Sequence, residues 1–331
     1  MYTPNIQYMN GEKIAALRRE LKSGVEKAKQ RQDVEELYTR IATMQKEGTL
    51  DKSLYSDFGW LIYYLLRNTP LNSVLRCKRY LIQYLNLQLP RPSLLHSLML
   101  SIALKLKKKI PSQFRIMDFL NLWGVENLRD EDFEKFKPES GRSHNSMVEN
   151  MISICAKELK STGNYQVNEE FAKVIDKALL KHETNPHLPL YKATVLVAQG
   201  NKKEALEYYK TLLRRWPRKF FLWSNAEELV PYTEKDLKIA LLCKAITTAR
   251  DKAFLGDIRL RLANQLYKKG LYSNALHELE QYEIYYTSQG WQIKSWCETL
   301  VMRVKAAAPG VKATPTQYND YITLAEKFIK K

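Results

Sequence analysis

Glycine and proline are scarce in this 331-residue chain, twelve of each, and cysteine is scarcer, at four. β-branched residues never form the alternating runs that strands need, while Leu, Ala, Lys and Glu dominate, so the chain reads as nearly all α. The cysteines, Cys77, Cys155, Cys243 and Cys297, lack a CxxC spacing and sit among apolar helical neighbours. A thiol there behaves as a small hydrophobe, and neither a disulfide nor a structural zinc is expected. The longest apolar run, FGWLIYYLL from Phe58 to Leu66, falls far short of the roughly 20 residues that span a bilayer. The opening MYTPNIQYMNGEK lacks the basic segment and apolar run of a secretory signal. A soluble, cytoplasmic protein without a membrane partner is expected.

Phosphate cradles need glycines whose bare backbone can approach the anion, and no GxGxxG or GxxxxGK[ST] occurs. A GxSxG elbow is absent as well, and no cysteine has a nearby helical histidine to act as its base. The expectation is a protein that is not an enzyme, with no catalytic residue, no cofactor and no metal.

What the sequence does have is apolar content and positive charge. At 45% hydrophobic residues the chain can bury a core, which excludes wholesale disorder. Lys and Arg number 53 against 36 Asp and Glu, a net charge of +17 that concentrates polyanions near the surface. Nucleic acid, anionic headgroups and acidic proteins are all compatible with it.

Helical periodicity runs along most of the chain. Amphipathic or buried helices are predicted over Glu12–Ala28, Val34–Lys46, Ser53–Arg67, Leu71–Leu87, Ser93–Lys109, Phe114–Trp123, Met147–Leu159 and Asn168–Lys181. KFKPESGRSHNS, Lys135 to Ser146, gathers loop-forming residues and is the best junction. Beyond it a pattern recurs. Ala193 and Leu196 precede a turn at Gly200, followed by Ala205, Tyr209, Leu212 and the stop at Pro217, the order of a helical hairpin. Ala205, Ala240 and Ala275 fall at equal steps of 35 residues, and Ala263, Leu266, Gly270 and Leu279 repeat the scheme. A regular period of this size means stacked hairpins. In the middle unit Pro231 shortens the first helix, and Thr233 with Asp236 reads as a capping box opening the second.

This pattern resembles the tetratricopeptide repeat, with three units near 186–220, 221–255 and 256–290. More narrowly, LPRPSLLHSLMLSIALKL, FLNLWGVENLRDEDF and the run from Leu241 to Ile293 resemble an uncharacterised bacterial family of tetratricopeptide-containing proteins. Some of its members are encoded in TOTE-type conflict systems. The resemblance implies a non-catalytic accessory or regulatory protein. Longer members carry cold-shock-like β modules after the helices, and this chain stops near where one would begin.

The expected fold is an all-α, right-handed solenoid of hairpins: irregular repeats over 1–134, a junction at 135–146, a repeat array over 147–310, and a tail with a terminal helix over 311–331. Repeat arrays bind through the groove lined by the first helix of each hairpin. Carried onto matching positions, the tetratricopeptide pattern implies a groove lined by Leu190, Thr194, Val197, Leu222, Asn225, Asn264, Tyr267 and Lys268. Asn225 and Asn264 would bond a peptide backbone, and Lys268 a carboxylate.

Other candidates have simpler readings. HETNPH, His182 to His187, begins like HExxH, but its histidines are five apart with Pro186 between them, so an interhelical loop is expected. His96 reads as a core histidine donating to a backbone carbonyl, and His277 as solvent-facing. Asp130, Glu131 and Asp132 suit a helix start. Lys203, Lys210, Arg214, Arg215, Arg218 and Lys219, interleaved with aromatics, are read either as a solvated face or as a polyanion-binding patch. The leading expectation is a scaffold or adaptor for a protein partner, with an acidic peptide suited to the groove. An RNA- or DNA-binding helical repeat using the basic hairpin at 202–219 is the alternative.

Overall fold

A computed structural model describes residues 10–135, 141, 144–162, 167, 169–251, 253 and 255–330. Most of the predicted junction at 135–146, and Asn168, lie outside the described residues. Every regular element among them is helical, and helices pack mainly on their neighbours in sequence, the arrangement of a helical solenoid. The chain divides into two compact units, Met1–Ala198 and Gln199–Lys331.

The first unit holds α1 (Gly11–Lys29), α2 (Glu35–Lys46), α3 (Tyr55–Asn68), α4 (Val74–Leu85), α5 (Leu94–Lys109), α6 (Ile116–Trp123), α7 (Met147–Thr162), α8 (Glu169–Lys181) and α9 (Leu188–Ala198). These lie within a few residues of the predicted helices, because apolar side chains at three- and four-residue spacing define each buried face. Packing runs from α1 on α3, through α3 on α4 and α5, to α5, α6, α8 and α9 around α7. Asn10 caps α1 by accepting from the Lys13 amide at 2.9 Å, and Ser93 caps α5 by accepting from the His96 amide at 3.2 Å. At α7, Ser146 and Glu149 form a reciprocal capping box: each side chain accepts from the other's backbone N–H, at 3.0 and 2.7 Å.

Buried ionisable groups in this unit serve as joints. Glu158 of α7 accepts from the amides of Ile116 and Met117, at 3.2 and 3.0 Å, and so caps α6 from a neighbouring helix. Its charge is met by Lys107 of α5, whose ammonium also donates to the carbonyls of Pro111 and Phe114. Asp132 accepts from Ser97 at 2.6 Å and from the Arg129 guanidinium at 2.9 Å, while Asp130 pairs with Lys177 at 2.8 Å. The acidic cluster thus opens a short 3₁₀ turn, Asp130–Phe133, as a helix start should.

His96 is the core histidine that the sequence suggests. It is fully buried and stacks flat on Trp123, ring centroids 4.1 Å apart, with Nε2 3.0 Å from the Trp123 carbonyl and Nδ1 3.2 Å from the Tyr84 hydroxyl. Burial, aided by the nearby Arg91 charge, pushes its pKa down to about 4. The unfolded chain, with histidine near 6.5, therefore binds the proton first as pH falls. Stability held above pH 6.5 should decline between there and about pH 4, by up to roughly 3 kcal/mol. Urea unfolding at pH 7 and pH 4.5 checks this: the deficit of His96→Asn relative to the unaltered chain should shrink at the lower pH.

The second unit holds α10 (Lys202–Arg215), α11 (Phe220–Leu229), α12 (Lys235–Thr248), α13 (Gly256–Lys268), α14 (Tyr272–Ser288), α15 (Ser295–Ala307) and α16 (Tyr318–Lys330). Each of α10 to α14 packs on the next. The alanines at 35-residue spacing, Ala205, Ala240 and Ala275, are all fully buried, and Gly270 takes the positive φ of +81° that ends α13. Pro231 does end α11 early, but the predicted capping box does not form. The N-cap of α12 is Glu234 and not Thr233, it makes no side-chain cap bond, and Asp236 pairs instead with Lys269. After α15 the chain does not continue the stack. α16 returns to lie across α12 and α10.

Candidate functional site

The basic hairpin lies in the second unit. The inner face of α10 buries Ala205, Tyr209, Leu212 and Leu213. Burial pushes the Tyr209 phenol up to about 12, against a hydrogen bond with Asn225 that pulls it down. Trp223 is also fully buried, and its indole N–H donates to the Pro217 carbonyl at 2.8 Å. Helix packing accordingly takes Tyr209 of the hairpin and Trp223 of the helix that follows it.

The six cations proposed from sequence as a patch divide in structure. Lys210 pairs with Glu207 at 2.7 Å and stands 5.0 Å above the Phe328 ring, and Arg214 Nε donates to the Ile329 carbonyl at 2.6 Å. Both therefore hold α16. The Arg215 guanidinium lies 4.9 Å over the Trp216 ring. Lys203, Arg218 and Lys219 are exposed, and none forms an ion pair among the described residues.

The eight proposed groove positions also divide. Leu190, Thr194 and Val197 are half-buried on α9 of the first unit, where the Thr194 hydroxyl donates to the Leu190 carbonyl at 3.0 Å. In the second unit Leu222 is enclosed by the core and Asn225 is engaged by Tyr209. Asn264, Tyr267 and Lys268, along one flank of α13, stay accessible, Tyr267 with its ring 5.8 Å from that of Tyr272.

Two buried networks of this unit have no signature in the sequence. Glu227 of α11 is met by the Lys238 ammonium of α12 at 2.9 Å, by Gln265 of α13 at 3.1 Å and by the Arg261 guanidinium, Nε at 3.1 Å. Arg261 also donates to the Ser224 hydroxyl and carbonyl, and Lys238 to the Glu227 and Val230 carbonyls. Glu278 of α14, fully buried, accepts from Tyr318 of α16 at 2.7 Å and pairs with Arg259 of α13. These are joints between helices, every charge met.

Of the exposed large hydrophobic side chains of the unit, Ile284, Trp291, Trp296 and Met302 lie in α14, α15 or the link between them, while Tyr232 and Leu324 lie elsewhere. Only Cys297, Leu300 and Val304 of α15 are buried. Trp296 and Met302 lie on its exposed half with the cations Arg303 and Lys305, and Trp291, just before α15, packs edge-on against Tyr286 at 5.4 Å. Residues 186–320 match a family model described as a domain of unknown function (DUF7017). The DUF7017 match takes in the basic hairpin, every proposed groove position and the α15 surface, and reaches the first turn of α16. None of the curated proteins matches the chain.

Histidines do not converge anywhere within the DUF7017 stretch. His187 is exposed beside Tyr191, and His277 is half-buried rather than solvent-facing. His182, just upstream, is buried near Glu149, whose carboxyl is held low: burial works to raise it, but bonds from Asn185 and the Ser146 backbone outweigh that. Among the described residues no group of three or more His, Cys, Asp and Glu side chains is placed to hold a metal ion. The four cysteines are buried, and burial pushes each thiol up, Cys297 to about 12. No described helix is long and apolar enough to cross a membrane.

Proposed function

We propose that the chain is a non-catalytic adaptor of the tetratricopeptide type, and that it takes an acidic, hydrophobic segment of a protein partner on the exposed half of α15. The carrying observation is the conjunction of Trp296 and Met302, exposed on one thinly packed helix, with Arg303 and Lys305 beside them. Trp, Met and Arg are the side chains that interface cores favour, and an exposed apolar group rimmed by charge marks an interaction surface. The excess of 53 basic over 36 acidic residues favours an acidic partner. The second reading, nucleic acid on the basic hairpin, is favoured by Lys203, Arg218 and Lys219, which stand exposed without ion pairs among the described residues.

Panning a random peptide library against the full chain should enrich segments combining acidic and large apolar residues. Trp296→Ala with Met302→Asp should weaken them by about thirtyfold or more, the loss of one interface hot spot. Titration calorimetry reads the change, and the melting curve should move little, since both side chains face outward. Loss of binding in Arg218→Glu/Lys219→Glu instead, with α15 variants unaffected, would shift the reading to the basic hairpin.

A further inference from the structure

The first unit contains a cleft of about 510 Å³ between α1 and α3, lined by Lys22, Glu26 and Lys29 from α1 and by Asp57, Trp60 and Tyr64 from α3. Its size is within the range of small-ligand sites. Trp60 and Tyr64, one helical turn apart, present stacked rings with centroids 6.2 Å apart and planes inclined by 29°. Tyr63 braces both from the side, edge-on to Trp60 at 5.8 Å. The aromatic wall is thus held by packing and remains partly open to solvent.

Three kinds of group surround that wall. Lys29 and Arg67 lie 5.5 and 5.9 Å from the centre of the Tyr64 ring, and Lys22 is exposed at the cleft without an ion pair among the described residues. Asp57 lies 3.4 Å from Arg18 Nε, too far for that contact to use up its acceptor capacity, whereas Glu26 is taken by Lys29, 2.5 Å away. Lys29 and Arg67 already stand against the Tyr64 ring, so a cationic ligand would be repelled there and the Trp60 ring is the part of the wall left to a ligand. The wall instead suits a ligand with a flat π-face, hydrogen-bond donors on its edge and a negative charge beyond. A nucleobase carrying its phosphate has all three.

We infer that this cleft binds an unpaired nucleobase, stacked on Trp60 where Tyr64 buttresses it, with its amino edge toward Asp57 and its phosphate toward Lys22. Stacking on an aromatic wall tolerates any base, whereas carboxylate acceptors favour bases bearing amino groups over uracil. The site is independent of the α15 surface, so neither stands or falls with the other.

Fluorescence anisotropy with labelled twelve-nucleotide single strands tests this on the full chain. A mixed-sequence RNA should bind more tightly than oligouridine and far more tightly than an abasic sugar-phosphate strand of equal length. Trp60→Leu/Tyr64→Leu should weaken binding about tenfold or more, while Trp60→Phe/Tyr64→Phe, which keeps the π-faces, should stay within about threefold. Lys22→Glu, a change at an exposed side chain, should also weaken binding and flatten its salt dependence. Arg218→Glu/Lys219→Glu should leave it unchanged. Displacement by free mononucleotides would assign the site to nucleotides, and resistance to them to strands. Equal affinity for the abasic strand, or unchanged affinity in the leucine pair or in Lys22→Glu, would overturn the inference. If the leucine pair misfolds, Lys22→Glu and the abasic strand still decide it.

Discussion

Glu227→Ala should lower the stability of the second unit by about 3–5 kcal/mol, the cost of leaving the buried Lys238 ammonium without its counter-charge. Glu227 is 3% exposed, and among the described residues it alone pairs with Lys238, while it shares Arg261 with Glu228. Lys238 keeps the Glu227 and Val230 carbonyls as acceptors, but these carry no net charge to balance an ammonium within the helix cluster. The damage joins three helices at once, because α11 supplies the acid, α12 the ammonium, and α13 both Arg261 and Gln265. Hydrogen exchange at these helices, together with the urea midpoint, should report the loss. Glu227→Leu combined with Lys238→Met and Arg261→Leu should recover much of it, since an apolar replacement of all partners removes the desolvation cost with the attraction. A Glu227→Ala deficit below about 1 kcal/mol would mean that water reaches the Lys238 ammonium.

No reading of the sequence reveals this network, and the reason is distance along the chain. Glu227 and Arg261 are 34 residues apart, and no local pattern ties one acid to one base over that span. What is local was legible. The alanines 205, 240 and 275 are buried because close helix crossings leave room only for small side chains, and that need recurs with the repeat. His96 was legible because it sits in the apolar run LLHSLML, which places it inside whatever its partner is. Trp60 and Tyr64, in contrast, lie in an apolar run that reads only as a buried helix, and their cleft depends on where α1 crosses α3. Counting charge over 202–219 likewise could not show that Lys210 and Arg214 are occupied, since Phe328 and Ile329 come from more than a hundred residues onward. One signal for this was present: α12, KDLKIALLCKAITT, is apolar around its circumference, and such a helix needs cover on every side.

That cover is α16, and removing it should cost the second unit its cooperative fold. α11 and α13 flank α12, and α16 packs along it almost as extensively as any helix pair in the chain. Ile239, Leu241, Leu242 and Ile246 are all buried in this setting, and exposing a side chain of this kind costs about 1.5–3 kcal/mol. The tail is also fixed at both ends: Tyr318 bonds Glu278, Lys244 pairs with Glu326 at 2.7 Å, and Arg214 holds the Ile329 carbonyl. A chain ending at Lys312 should therefore bind hydrophobic dyes and lose exchange protection in α12. Ala325→Glu, which places a carboxylate at a fully buried position of α16, should do so to a lesser degree, at a cost of about 3 kcal/mol. Unchanged protection in α12 would show that the other helices suffice. The same geometry decides how charge reversals in the basic hairpin are read. Arg214→Glu removes a clasp on α16, so any loss of polyanion binding that Ala325→Glu reproduces is a loss of structure. A loss confined to Arg218→Glu/Lys219→Glu, whose side chains bear no part of the clasp, is a loss of contact.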